Sequence, residues 1–353
     1  MSIAESPTIR QLARLLDVSK STVALALKND PRLPEETRRR IIKAAEKAGY
    51  RANPTVSHLM AELRKGRHFS HKATIGFIHG MPGRNDMENH QLCILLFNGA
   101  LERANRLGYN LDPIWLYDPK LRLEKLETIL HTRNIRGLIF NNAEMAGGRL
   151  PKAVEVLLDD YPCVFDDIST NMPIFQYCGS DMFSLAWTAV ENAHKRGYRR
   201  CGLVIDERTH KLSHDQFLGG FMAAMHRFYP SLVKEAADSL FLPLPQADSR
   251  GVFIDWFKKG RPDVLLMHEI IIKEWISGLG LKAPRDIGMI HLDVYEGMKG
   301  WAGIDHNHAE IGAATVDILA GCIYRGERGP ARHPSCTLVE GSWVDGPTVK
   351  KQR

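Results

Sequence analysis

The chain has 353 residues, 44% of them apolar and 25% charged, with a formal net charge of +6. That length exceeds one ordinary core and predicts two or three domains, and the balanced composition excludes a disordered or collagenous chain. No run approaches the roughly 18 apolar residues of a membrane span, charged Glu5, Arg10 and Arg14 break any secretory leader, and the six cysteines form no C-x-x-C pair, so reduced thiols in a cytoplasm are expected.

In chain order, Ile9, Leu12, Ala13 and Leu16 fall at i, i+3, i+4 and i+7 and predict a first short helix. Asp17-Val18-Ser19 reads as a tight connection. The next helix buries Val23 and Leu27, an i, i+4 pair, and carries Lys20, Ser21, Ala24, Leu25 and Lys28 on its opposite face. A third helix opens at Pro34-Glu35-Glu36, packs through Ile41, Ala44, Ala45 and Ala48 and stops at Gly49. Two helices joined by a short turn, with a third as support, form a helix-turn-helix, whose second helix enters the major groove of DNA. A purely structural three-helix unit is the competing reading, and charge opposes it. Residues 1–67 carry 14 basic and 7 acidic residues, a surplus of +7, against 33 basic and 34 acidic in the remainder. A phosphate backbone rewards such a concentration, because each neutralised phosphate releases counterions. No long amphipathic helix or lipidation motif supports an anionic membrane as the partner instead.

Asn53 and Pro54 suit the start of a fourth helix, on which Val56, Leu59, Met60 and Leu63 form an apolar stripe. A helix of about ten residues is marginal alone in water, where roughly 12–15 are needed, so this one requires a partner. An apolar side chain can also wedge between base steps from the minor groove. The helix-turn-helix, the EETRRR third helix, the Ala48-Gly49-Tyr50-Arg51-Ala52-Asn53-Pro54 run and the short fourth helix together resemble the LacI/GalR family of transcription regulators. The resemblance implies that this hinge helix pairs with that of a dimer mate and inserts Leu59 into the minor groove. Simple dimer packing is the plainer role for Leu59, and both can hold.

From about residue 72 the pattern alternates. Strands are predicted at Thr74–His79, Leu111–Leu116, Gly137–Phe140, Cys163–Asp167, Cys201–Ile205, Leu240–Leu244, Val264–Met267 and Ile287–Leu292. Helices intervene, among them Gln91–Leu107, Leu123–His131, Lys152–Leu158, Ser184–Arg196, Gln216–Phe228 and Ala309–Tyr324. Such alternation predicts an α/β fold of parallel sheets covered by helices. One eight-unit barrel is the alternative. The resemblance, carried here by Asn98–Gly108, Arg136–Phe140, Gly179–Asp181, Arg196–Arg200 and Pro284–Gly288, implies two doubly wound lobes like those of periplasmic binding proteins, with three crossings between them. The expected division is a DNA-binding domain at 1–52, hinge helix and linker at 53–71, a first lobe at 72–176 plus 305–333, and a second at 177–304 plus 334–353.

Ligands of open α/β sheets bind outside the carboxyl ends of strands. Residues just past predicted strands are therefore candidate effector ligands: His79, Met81, Asn141, Asn142, Asp166 and Asp167 in the first lobe, His268, Glu269 and Asp293 in the second. Asp181 of the family-like Gly179–Asp181 piece joins them. The resemblance places Asp293 at a position used for sugar or nucleobase recognition, and a carboxylate accepts paired hydroxyls well. For each of these residues a satisfied loop polar group is the plain alternative. Phe217 stands where the family often has an effector-binding Arg, and His268-Glu269 where it often has Asn-Asp. Phe217 can stack on a sugar ring or merely fill space, so an ordinary monosaccharide effector does not follow.

Ala24-Leu25 replaces the Ser-Arg pair of many members. Lys20 and Ser21 are then expected to supply the polar base readout, with Ala24 and Leu25 touching a thymine methyl. Thr8, Ser19, Thr22, Lys28, Asn29, Arg32, Thr37 and Asn53 would hold phosphates, with Val56 and Leu59 at the minor groove. An enzyme is not expected. Ser213-His214-Asp215 are mere sequence neighbours, and no Gly-rich phosphate loop is present. Asp305-His306-Asn307-His308 matches the family's crossover loop, so neither a metal site nor a cofactor is expected. The reading is a cytoplasmic, ligand-responsive repressor, a homodimer on pseudo-palindromic double-stranded DNA, with a small-molecule effector for which carbohydrate is the family-level expectation. Alternatives are a co-repressor-dependent regulator with a non-sugar effector and a non-specific DNA-binding protein.

Overall fold

The computed structural model describes residues 9–27, 32–48, 73–81, 90–141, 150–166, 175–234, 236, 240–244 and 249–351. The chain divides into two units, Met1–His71 and Lys72–Arg353. In the first, α1 spans Ile9–Leu15, α2 Lys20–Leu27 and α3 Glu35–Lys47. Asp17 takes a left-handed conformation (φ 53°) that turns the chain between α1 and α2. Ser19 caps α2, its Oγ accepting the Thr22 amide at 3.0 Å. Glu35 and Glu36 in the first turn of α3, and Lys47 in its last, complement the helix dipole.

Leu12, Ala13, Val23, Ala26, Ile41 and Ala45 form the core of this unit, with Leu16, Val18, Leu27, Leu33 and Ala48 packed around it. The buried pair of α2 is thus Val23 and Ala26, at i, i+3, and not Val23 with Leu27, which is half-buried. Leu27 packs at the margin of this core instead.

The second unit holds two six-stranded sheets rather than a single barrel. The strands are β1 Thr74–His79, β2 Asn110–Trp115, β3 Ile135–Asn141, β4 Cys163–Phe165, β5 Gln176–Ser180, β6 Cys201–Asp206, β7 Phe241–Leu244, β8 Val264–Met267, β9 Gly288–His291, β10 Ala302–Asp305, β11 Cys336–Val339 and β12 Ser342–Val344. The first sheet has the order β11-β5-β4-β3-β1-β2 and the second β12-β10-β9-β8-β6-β7. All pairs are parallel except β10 with β12. The longer helices are α4 Gln91–Arg106, α5 Met182–Lys195, α6 Gln216–Phe228, α7 Arg250–Gly260, α8 Ile271–Gly278 and α9 His308–Arg325.

The sheets are buried on both faces, as parallel sheets must be. Ile75, Phe77, Ile139 and Val164 of the first sheet pack against Leu96 of α4 and Ile311, Val316 and Leu319 of α9. On the second, Leu203, Leu266 and Ile290 pack with Leu185 and Val190 of α5 and Phe217 and Phe221 of α6. The chain therefore passes from one sheet to the other after Ser180, between Asp305 and His308, and between Val339 and Ser342. The second crossing falls where it is expected, near 304, while the first and third lie a few residues after the expected 176 and 333. The reason is local: Gln-Tyr-Cys-Gly-Ser lacks the apolar run that marks a buried strand, and β11 is a largely exposed edge strand.

Candidate functional site

In the first unit, Ser19, Lys20, Ser21 and Arg32 are exposed and Thr22, Leu25 and Thr37 half-buried. Ala24 lies within α2. Ser19 Oγ also meets Ser21 Oγ at 2.6 Å and Thr22 Oγ1 at 2.7 Å. The three hydroxyls expected to touch DNA thus hold one another at the start of α2, a network that fixes where Lys20 and Ser21 are presented. Thr8, Lys28, Asn29, Asn53, Val56 and Leu59 lie outside the described residues, as do Asn142 and Asp167 of the proposed cleft.

In the second unit the carboxyl ends of the two sheets meet. Ser180 ends β5, His306 follows β10, and Ser180 Oγ lies 2.9 Å from His306 Nδ1. The other ring nitrogen, Nε2, donates to the Leu292 carbonyl at 2.7 Å. A carbonyl only accepts, so the ring proton is on Nε2, and Nδ1 accepts the Ser180 hydroxyl.

On the first lobe, His79 at the end of β1 is fully buried, stacked on Trp115 with ring centroids 5.5 Å apart. Its Nδ1 lies 3.3 Å from Asn141 Oδ1, and Asn141 Nδ2 donates to Asp166. Because the Asn141 amide hydrogens are directed at the carboxylate, Nδ1 of His79 must carry the proton. Its Nε2 is then a buried lone pair without a partner among the described residues. Burial, only partly opposed by Asn141, lowers the His79 pKa from 6.5 to about 4. Met81 is buried with its sulfur 3.9 Å from Cys93 Sγ, a packing contact. Asp181 caps α5, accepting from the Ser184 amide at 3.0 Å and the Ser184 hydroxyl at 2.7 Å.

The second lobe concentrates imidazole. Phe217 is fully buried, its ring 5.9 Å from that of His268 and 6.5 Å from that of His306. The ring of His268 lies 5.9 Å from that of His291, and the His306 ring stacks on that of His308 at 5.3 Å. Asp293 sits among them, its carboxylate 3.0 and 3.2 Å from His308 Nε2. The Asp293 amide donates to His291 Nδ1 at 3.0 Å, which puts the His291 proton on a buried Nε2 that has no acceptor among the described residues. Burial pushes His291 and His306 down to about 4, so both are neutral at physiological pH. Burial works against the Asp293 carboxylate, but His306, His308 and His268 more than offset it and hold the group below the ordinary carboxylate range.

Of the sequence candidates, the structure brings Phe217, His268 and Asp293 together, and His79 with Asp166. Glu269, beside His268, follows the end of β8 and is half-buried. His291, His306 and His308 are not among those candidates. The signal for two of them is the Asp305-His306-Asn307-His308 run, whose reading as a crossover loop gives it no part in a site; it is the crossover, and it delivers both rings to the cluster.

Residues 8–53 match the family described as bacterial regulatory proteins, lacI family. The NTD biosynthesis operon regulator NtdR of Bacillus subtilis is 24% identical over 205 residues, 57% of this chain and 55% of that protein. The HTH-type transcriptional regulator MalR of Streptococcus pneumoniae is 22% identical over 220 residues, 62% of this chain and 63% of that protein. The chain thus spans less than two thirds of the length of these curated relatives. Among solved structures, a transcriptional regulator CelR–cellobiose complex superposes with a TM-score of 0.58 at 13% identity, over 97% of this chain and 99% of that one. The lac repressor dimer bound to operator and an anti-inducer gives 0.55 at 18% identity, over 98% and 100%. A ribose-bound regulator of Enterococcus faecium gives 0.55 at 15%, over 78% and 98%. The curated relatives are regulators and not enzymes. Residues 8–53 thus form a module of the lacI family of bacterial regulatory proteins, and the two open parallel sheets behind it share the fold of these solved regulators.

Proposed function

We propose that this chain is a sequence-specific DNA-binding repressor of transcription. It acts in the cytoplasm as a homodimer on a pseudo-palindromic operator, and its hold is set by a small polar effector between the two lobes. The observation that carries this reading is the Ser19-capped α2, which presents Lys20, Ser21 and Leu25 from a basic three-helix module. One such helix reads too few base pairs, hence two copies. The solved lac repressor stands on its operator as a dimer, which supports the arrangement.

Carbohydrate is the effector class favoured, supported by the cellobiose and ribose bound to two structural relatives. The buried lone pair of His79 Nε2 and the Asp293 carboxylate at the strand ends suit hydroxyl donors. Closing the lobes would order or melt the hinge at residues 53–63, a segment with an apolar stripe but too short to be stable alone. Operator and effector then change each other's affinity by the same factor.

The test is a selection of binding sites from random duplex DNA with the full-length protein and with Leu59→Ala. Wild type is expected to enrich a palindrome with a preferred central step, and Leu59→Ala to lose that central preference. No enriched sequence, with or without added cell metabolites, would overturn a specific regulator; enrichment only with metabolites would favour the co-repressed form. In the same selection Leu25→Arg should move one half-site position toward G, since a bidentate Arg–guanine pair discriminates by about 1–3 kcal/mol. An unchanged consensus would remove Leu25 from the reading face.

A further inference from the structure

The second lobe brings His268, Asp293 and His306 together so that one donor atom from each lies within 4.8 Å of the others. Two imidazoles and one carboxylate are the donor set of borderline divalent metals, not of calcium or magnesium, which prefer oxygen alone. The surroundings have the form that a metal ligand shell takes. His306 donates Nε2–H to the Leu292 carbonyl at 2.7 Å, which keeps its lone pair on Nδ1. His308 donates to the Asp293 carboxylate at 3.0 Å, orienting it from behind. Ligating histidines and carboxylates are typically held by such outer hydrogen bonds. Two further observations point the same way. The Asp293 carboxylate is a buried negative charge whose one ion-pair partner among the described residues is a half-buried histidine. His291, whose ring is 5.9 Å from that of His268, keeps a buried Nε2–H without an acceptor among the described residues.

We propose that His268, Asp293 and His306 bind one divalent transition cation of the zinc class, with His308 positioning Asp293. The three ligands leave a fourth position, as in zinc sites that accept a water or an external ligand. A water held there, or an effector oxygen, would supply the acceptor that the His291 N–H lacks. The ion would offset the Asp293 charge, since the two imidazoles are neutral donors. Binding requires the Ser180 hydroxyl to leave the lone pair of His306 Nδ1, which it now meets at 2.9 Å, by a rotation about the Ser180 Cα–Cβ bond. The proposal deepens the reading of this lobe as an effector site, but it does not depend on DNA.

The experiment is cobalt titration of the full-length, untagged protein after chelation and dialysis, followed by visible absorption and by bound metal per chain. One saturable Co2+ per chain, displaced by Zn2+, is expected. His268→Gln, at a half-exposed position, and Asp293→Asn should abolish the saturable phase, and His308→Gln should weaken it by about 10–100-fold. Circular dichroism identifies any variant that has lost its fold, and His268→Gln and His308→Gln keep the test decisive if Asp293→Asn unfolds. No saturable uptake, or uptake unchanged in both His268→Gln and Asp293→Asn, overturns the site. Neither result bears on operator selection, which is read without added metal, and failure of that selection would leave the cobalt result standing.

Discussion

Gly312→Val is expected to abolish folding of the 72–353 unit, and even Gly312→Ala to cost about 3 kcal/mol or more. Helices α4 and α9 pack backbone to backbone at two glycines. A Cβ on Gly312 would lie 2.0 Å from the Leu96 carbonyl oxygen, and one on Gly99 would lie 2.0 Å from that of Ala309. Overpacking a core usually costs about 1–3 kcal/mol when side chains can adjust. Here the obstacle is main chain within a helix, and relief means separating two helices that together cover one face of the first sheet. Against a total stability of about 5–15 kcal/mol the valine variant should not survive. Gly251→Ala is the control. It sits in α7, and an added methyl there would meet nothing within 4 Å, so it should gain up to about 1 kcal/mol from lost unfolded-state freedom. Urea unfolding of the three variants checks this, and a Gly312→Ala protein as stable as wild type would show that α4 and α9 yield freely.

The periodic parts of the molecule were legible in the sequence. The apolar spacing of residues 9–48 yields three helices, and Thr74–His79, Val264–Met267 and Gln216–Phe228 have the same bounds in the structure as in the sequence reading. What was not legible is where the chain changes lobes. β5 and β10 are short strands, Gln-Tyr-Cys-Gly-Ser and Ala-Gly-Ile-Asp, with too few apolar residues to stand out from the sequence around them. β11 and β12 fail for the opposite reason, lying on sheet edges with much of their surface in water.

The site shows the same division. A residue that ends a strand, such as His79, can be read from alternation alone. The grouping of His268, His291, His306 and His308 cannot, because it joins segments whose contact depends on strand order. Asp181 illustrates the converse: it follows β5, but the Ser184 amide and hydroxyl claim its carboxylate as a helix cap. Side chains with a local hydrogen-bond task look the same in sequence as side chains free to meet a ligand.

Acid should weaken the second unit, and His79 should account for about 3 kcal/mol of the loss. In the unfolded chain this imidazole takes up a proton near its ordinary pKa of 6.5, whereas in the folded protein burial delays protonation to about 4. The unfolded state therefore binds more protons across this window, so stability rises with pH through it. The contribution is complete above 6.5, is lost as pH falls from 6.5 to 4, and changes no further below. One pKa unit corresponds to about 1.4 kcal/mol, which gives roughly 3 kcal/mol for the whole shift. His79→Gln isolates this contribution, because glutamine offers an N–H toward Asn141 Oδ1 in place of Nδ1–H and does not titrate. Urea unfolding across the window should show the variant losing about 2–3 kcal/mol less than wild type. Parallel curves for the two proteins would mean that His79 is protonated as readily in the fold as out of it.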